Sequence, residues 1–181
     1  MSDLHSPLLS RRSLFAAAAG ALALGGCSVT SGGGLITVTL EVRVFAADAT
    51  VALDVVRTIL GFSALPAALV TATSRGITLI QQGLADFAAY AGDEASLSFA
   101  TLNVPAAITS VIADIRTVAS DIAAALDNAA LAATLAAQIR LVSSDVAQVA
   151  TILGDLVSAA MGASGDAQSR IAAIRARHGL T

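Results

Sequence analysis

The chain has 181 residues, of which 56% are hydrophobic, only 3% are aromatic and 13% are charged, with a formal net charge of -3. It contains no lysine, one cysteine, no tryptophan and one tyrosine, and its ten arginines are scattered rather than clustered. With neither a basic stripe nor a stacking platform, nucleic-acid binding is excluded as a reading.

Residues 1–26 have the three zones of an export signal. A polar start carries Arg11 and Arg12, an uncharged run follows from Leu14 to Leu24, and the small residues Gly25 and Gly26 precede Cys27. The apolar run is too short to span a bilayer core of about 30 Å. Ser10-Arg11-Arg12-Ser13-Leu14-Phe15 resembles the twin-arginine export motif, with the order of its two apolar residues reversed and Ala16 where a lysine often stands. That resemblance favours twin-arginine export over the general secretory route. Leu24-Gly25-Gly26-Cys27 is similar to a bacterial lipobox. The resemblance implies that the Cys27 thiol receives diacylglycerol, that the chain is cut before Cys27, and that the new amine is acylated. Two or three acyl chains hold a protein on a membrane durably where one barely does. By the same resemblance, Ser28 after the cysteine permits sorting to the outer membrane. The competing reading is a plain signal peptide with a coincidental cysteine, or an uncleaved apolar helix.

About 155 residues follow the signal, enough for one domain with a sizeable core. Residues 27–34 read as the lipidated cysteine and a Gly/Ser-rich flexible tether, and residues 35–181 as a single helical bundle. Ile36 to Val44 alternates apolar and polar residues, which predicts a half-buried strand. Its only plausible partner in the chain is Leu97–Val104, and a competing reading makes residues 36–62 one long helix. From Ala49 the period is helical, with Asp48 as a candidate cap. Gly61 and Pro66 bracket a turn, and Pro66 suits the first position of a helix running to Gly92. Gly76 and Gly83 weaken that helix by about 1 kcal/mol each relative to alanine, so the close approach of a neighbouring helix would account for them.

The strongest periodic signal is Ile108, Ile112, Ile115, Ala119, Ile122 and Leu126, stepping 4-3-4-3-4. After a break at Asp127-Asn128, the sequence Leu135, Ile139, Val142, Val146, Val149, Leu153 and Leu156 repeats the stepping, with Arg140, Asp145 and Asp155 off the seam. Two such helices with a tight link predict an antiparallel αα-hairpin. Gly162–Gly165 reads as the end of the second helix, and Asp166–Arg177 as a short tail helix whose Arg170, Arg175 and Arg177 complement its dipole. The expected fold is mainly α: an alanine-rich up-down bundle of four to five helices with a short strand or hairpin near the N-terminus.

The catalytic inventory is thin. Once Cys27 is acylated, the mature chain has no free thiol, no lysine and one histidine, His178, so cysteine, Schiff-base and His/Cys zinc chemistry lack their residues. A carboxylate pair drawn from Glu41, Glu94 and the aspartates remains open. Asp114 and Asp121 share a helix face, read as solvated rather than metal-binding. Asp93 and Glu94 read as loop decoration, His178 as an exposed terminal residue, and Tyr90 as closing one end of the core. No cofactor motif is present. The function expected is a lipid-anchored cell-envelope structural or interaction protein, not an enzyme, whose partners are the membrane through Cys27 and a protein or second copy through helical surfaces. A binding module for an apolar ligand such as lipid and a small carboxylate-dependent hydrolase are the rival readings.

Overall fold

The alternating stretch at residues 36–44 is divided between two kinds of structure. In a computed structural model, which describes residues 27–160 and 164–180, the strand β2 covers Leu35–Glu41 and helix α1 begins at once with Val42–Ile59. The backbone N–H of Val42 donates to the Ala95 carbonyl at 3.0 Å, and the chain turns away from the sheet there. Winding as a helix buries Phe45, Ala49, Ala52, Val56 and Ile59 on one side, a gain that overrides the strand preference of Val42 and Val44.

Residues 27–34 are not a tether in this structure. Cys27–Gly32 form a strand, β1, antiparallel to β2 in a register that sets Cys27 opposite Leu40 and Gly32 opposite Leu35. Gly33 and Gly34 make the two-residue turn at φ +59° and +82°, the backbone that a type I′ hairpin requires and that glycine adopts without strain. The weaker strand signal is also real, with shorter bounds: β3 is Ser96–Ala100, and a single 3₁₀ turn occupies Thr101–Asn103. β3 pairs antiparallel with β2, placing Phe99 opposite Val38 and Leu97 opposite Leu40. The sheet order is β1-β2-β3.

Four helices then form the up-down bundle. α2 is Ala67–Ala91, α3 is Ala106–Asp127 and α4 is Ala133–Val157. Pro66 caps α2 from an extended conformation rather than occupying its first turn, and its carbonyl accepts the N–H groups of Leu69 and Val70. Consecutive helices pack side by side, and α4 closes the ring against α1. All six residues of the first heptad seam are buried, as are Ile139, Val142, Val146, Val149, Leu153 and Leu156 of the second, while Leu135 is half-buried. Buried arcs are wider than the seams because each helix has two neighbours. Val111 and Val118 of α3 and Ala150 and Ile152 of α4 are also enclosed. α4 stops at Val157, short of the glycines expected to end it. Ala159 takes a left-handed conformation (φ 55°) and the Ala160 N–H returns to the Asp155 carbonyl at 3.0 Å, a closure of the type that normally uses glycine. Gly162 lies outside the described residues. The last helix, α5, is Ser164–Arg177 and lies against α4 and α1, burying Ala167, Ile171 and Ile174.

The two glycines of α2 mark its contact with α3. A Cβ on Gly76 would fall 2.6 Å from Val118 Cγ1, and one on Gly83 would fall 2.7 Å from Asp114 Oδ2 and 3.6 Å from the Val111 Cα. These two obstacles differ. The Asp114 carboxylate ends a half-buried side chain that can swing aside, so the gain in helix propensity decides the outcome at Gly83. Gly83→Ala is expected to leave stability unchanged or raise it by up to about 1 kcal/mol in urea unfolding. A loss of that size instead would show that Asp114 is fixed in place.

The sheet sits at the end of the bundle where α1 and α3 begin and α2 and α4 end. It covers that end with Val38, Leu40, Phe99 and Cys27. Phe45 and Phe87 pack with ring centroids 4.8 Å apart. They do the work expected of Tyr90, which is 53% exposed on the last turns of α2. No described helix is long and apolar enough to cross a membrane.

Candidate functional site

Cys27 is the first of the described residues and lies in β1. The signal-like segment before it, with Arg11, Arg12, Leu24, Gly25 and Gly26, lies outside the described residues. The Cys27 side chain points to the bundle side of the sheet, is 8% exposed, and its Sγ lies 3.9 Å from the Leu156 carbonyl near the end of α4. Burial, and secondarily the negative charge of Glu41, push the thiol up to about 11. It is therefore neutral at pH 7, and a neutral thiol is a poor nucleophile.

A second constellation joins α5 to the bundle, and it overturns three expectations. Asp145, placed off the seam, is 2% exposed. His178, expected in solvent, has a side chain only 8% exposed, and its Nε2 donates to Asp145 Oδ2 at 2.8 Å while Arg177 Nη1 pairs with Oδ1 of the same carboxylate. Asp48, expected as a helix cap, sits in the second turn of α1 and is 2% exposed. Gln168 Nε2 donates to its Oδ2 at 2.8 Å, and Arg175 Nη2 lies 3.8 Å from its Oδ1. Arg170 approaches Asp155 at 4.0 Å. The tail arginines thus reach across to α1 and α4 instead of only compensating their own helix end. Buried carboxylates are tolerated when paired and hydrogen-bonded, and these two are. Together with Ala167, Ile171 and Ile174, they latch α5 to the bundle.

The Asp48 latch carries a pH dependence. Burial raises the Asp48 carboxyl above its ordinary value, against the opposing pull of the Gln168 hydrogen bond and the Arg175 charge. A carboxyl raised in the folded state stabilises the fold most below its unfolded pKa, about 3.9, and loses that contribution as pH rises through the folded value. Asp48→Asn, which keeps an acceptor for Gln168, is therefore expected to cost less than about 1 kcal/mol at pH 7. In thermal melts taken from pH 7 down to pH 4, the unmodified chain should gain stability relative to this variant; a relative loss would contradict the assignment.

The remaining candidates fall in separate places on the bundle. Glu41, Asp93 and Glu94 line, with Arg43, a depression of about 560 Å³ where α2 hands over to the sheet, and all four side chains are exposed. Asp121 is exposed, whereas Asp114 is half-buried at the α2–α3 contact, where burial and then Asp86 push its carboxyl up. Among the described residues there is no group of three or more His, Cys, Asp or Glu side chains placed to hold a metal ion. A shallow groove of about 420 Å³ runs between α3 and α4 over Ala119, Ala123 and Ala147, with Arg116 and Arg140 at its sides. Ser143 closes its floor by donating to the Ala119 carbonyl at 2.7 Å.

No family model matches the chain. Comparison with curated proteins returns no match, and comparison with solved structures returns none.

Proposed function

We propose that this chain is a lipid-anchored structural or interaction protein of a bacterial cell envelope, attached to the membrane through Cys27. The observation that carries the reading is the place of the only cysteine. It is the acceptor position of a lipobox-like sequence, and it lies in β1 with its side chain buried against the end of α4. In lipid transfer, Sγ forms a thioether to the glyceryl carbon of a phospholipid as the bond from that carbon to the phosphate oxygen breaks, and the thiol proton is lost. By the Ser28 resemblance, the address is the outer membrane facing the periplasm. A bundle filled by Ile, Val and Leu seams, with helices close enough to exclude a Cβ at Gly76, supports a scaffold that presents surfaces rather than a container. Glu41, Asp93 and Glu94 share the 560 Å³ depression, but all three side chains are exposed, and solvated carboxylates give little support to hydrolysis.

Fractionation of the producing cells tests the anchor. The unmodified protein is expected with membranes and Cys27→Ser in the soluble fraction; an unchanged distribution would refute attachment through Cys27. One observation favours a second reading, a module for an anionic amphiphile: the alanine-floored groove between α3 and α4 with its two arginines. Lipid that co-purifies with the protein and is lost on Arg116→Ala would support that reading.

A further inference from the structure

Among the described residues, β1 holds to the domain by little besides Cys27 and its pairing with β2. Of its six residues only Cys27 is buried; Ser28 is half-buried and Val29 to Gly32 are exposed. Val29 stands on the same side of the sheet as Cys27 yet is 41% exposed, and Ile36, opposite Ser31, is 43% exposed, so the hairpin tip extends past the helices. Among the described residues β1 is also an edge strand, paired on one side only. Among those residues its attachment is one backbone ladder to β2 and the packing of Cys27 beside the half-buried Ser28. On its other edge β2 pairs with β3, and its Val38 and Leu40 are buried.

The docked position has no room for what the anchor reading attaches. Sγ is enclosed beside the Leu156 carbonyl, and well-packed interiors resist the addition of even a few methylene groups. A glyceryl group with two acyl chains is far larger than that. We propose that β1 is a releasable strand, docked on β2 while Cys27 carries a free thiol and displaced from it once Cys27 bears a bulky substituent. Residues 27–34 then become the link between membrane and domain. Fully extended, those eight residues reach at most about 28 Å, enough to stand the bundle clear of lipid headgroups. The inference rests on the anchor reading for the natural substituent alone; release itself is a property of the strand. It also means that the enzyme acting on Cys27 meets the released strand, not the docked one.

The test uses the purified full-length chain produced without lipid attachment, in which every thiol adduct reports on Cys27. Labelling with a polymer-bearing maleimide is expected to be at least ~10-fold slower in native buffer than in urea, because opening of the strand limits it. Gly33→Val, which puts a β-branched residue at φ +59°, is expected to raise the native rate ~10-fold by weakening the turn. In the labelled protein, hydrogen exchange should show β1 amides unprotected while β2, β3 and the helices keep their protection. Native labelling as fast as in urea would overturn the proposal, as would a labelled chain whose β1 amides remain protected or one that unfolds as a whole. The mass of the membrane-extracted protein is read separately. Absence of acyl groups on Cys27 would remove the anchor reading and leave the strand to be judged on labelling and exchange.

Discussion

Asp145→Ala is expected to lower the unfolding free energy by about 3 kcal/mol, the largest effect of any single polar substitution in this chain. The carboxylate is 2% exposed and accepts from two groups at the end of α5, Arg177 and His178. Removing it leaves a buried imidazole without its partner and a guanidinium with nothing to hold it, while the space cannot be refilled by the shorter side chain. The loss should be concentrated in α5. Urea unfolding gives the magnitude, and hydrogen exchange should show the amides around Ile171 and Ile174 losing protection before those of α2 and α3. A change below about 1 kcal/mol would mean that Ala167, Ile171 and Ile174 dock α5 without the latch. Asp48→Asn is the internal control, since it retains an acceptor for Gln168 and removes only a pairing with a half-exposed arginine.

Gly76→Ala is expected to destabilise by about 2 kcal/mol, although the same change at Gly83 is neutral or favourable. The added Cβ meets Val118 Cγ1 at 2.6 Å, Cγ2 at 3.1 Å and Cβ at 3.4 Å. Val118 is 1% exposed and stiff about its first torsion, so the helices themselves must part. Overpacking of this kind costs about 3 kcal/mol, and the gain in helix propensity offsets about 1. Val118→Ala in the Gly76→Ala background should recover part of the loss. A double-mutant cycle with no coupling between the two positions would show that their contact is not the cause.

Much of this architecture could be read from spacing. The 4-3 steps from Ile108 to Leu126 and from Ile139 to Leu156 identify buried faces because a helix repeats its contacts on that period, and glycines seven apart on α2 announce a close neighbour. The strand at Ile36 was legible for the same reason. Its first partner was not. Ser28 to Gly34 has the composition of a linker, and only Gly33-Gly34 between two β-rich stretches carries the hairpin signal. The α5 latches depend on residues more than 30 positions apart in sequence, which no local pattern contains. Half of the signal was nevertheless present. Phe45, Asp48, Ala52, Val55 and Ile59 step 3-4-3-4, as do Val142, Asp145, Val149, Ile152 and Leu156. A carboxylate inside an apolar stripe needs a buried partner; the identity of that partner comes only with the fold. For Cys27 the lipobox-like sequence raises an expectation of acylation, and the sheet adds that its thiol is buried beside the Leu156 carbonyl.

Attachment through Cys27 is what the account depends on, and intact-mass analysis of the protein extracted from membranes tests it most directly. The predicted species is residues 27–181 carrying the added mass of a diacylglyceryl group on Cys27, with or without a further acyl chain on its amine. A species that retains residues 1–26, or that begins at Cys27 with no acyl mass, would contradict it.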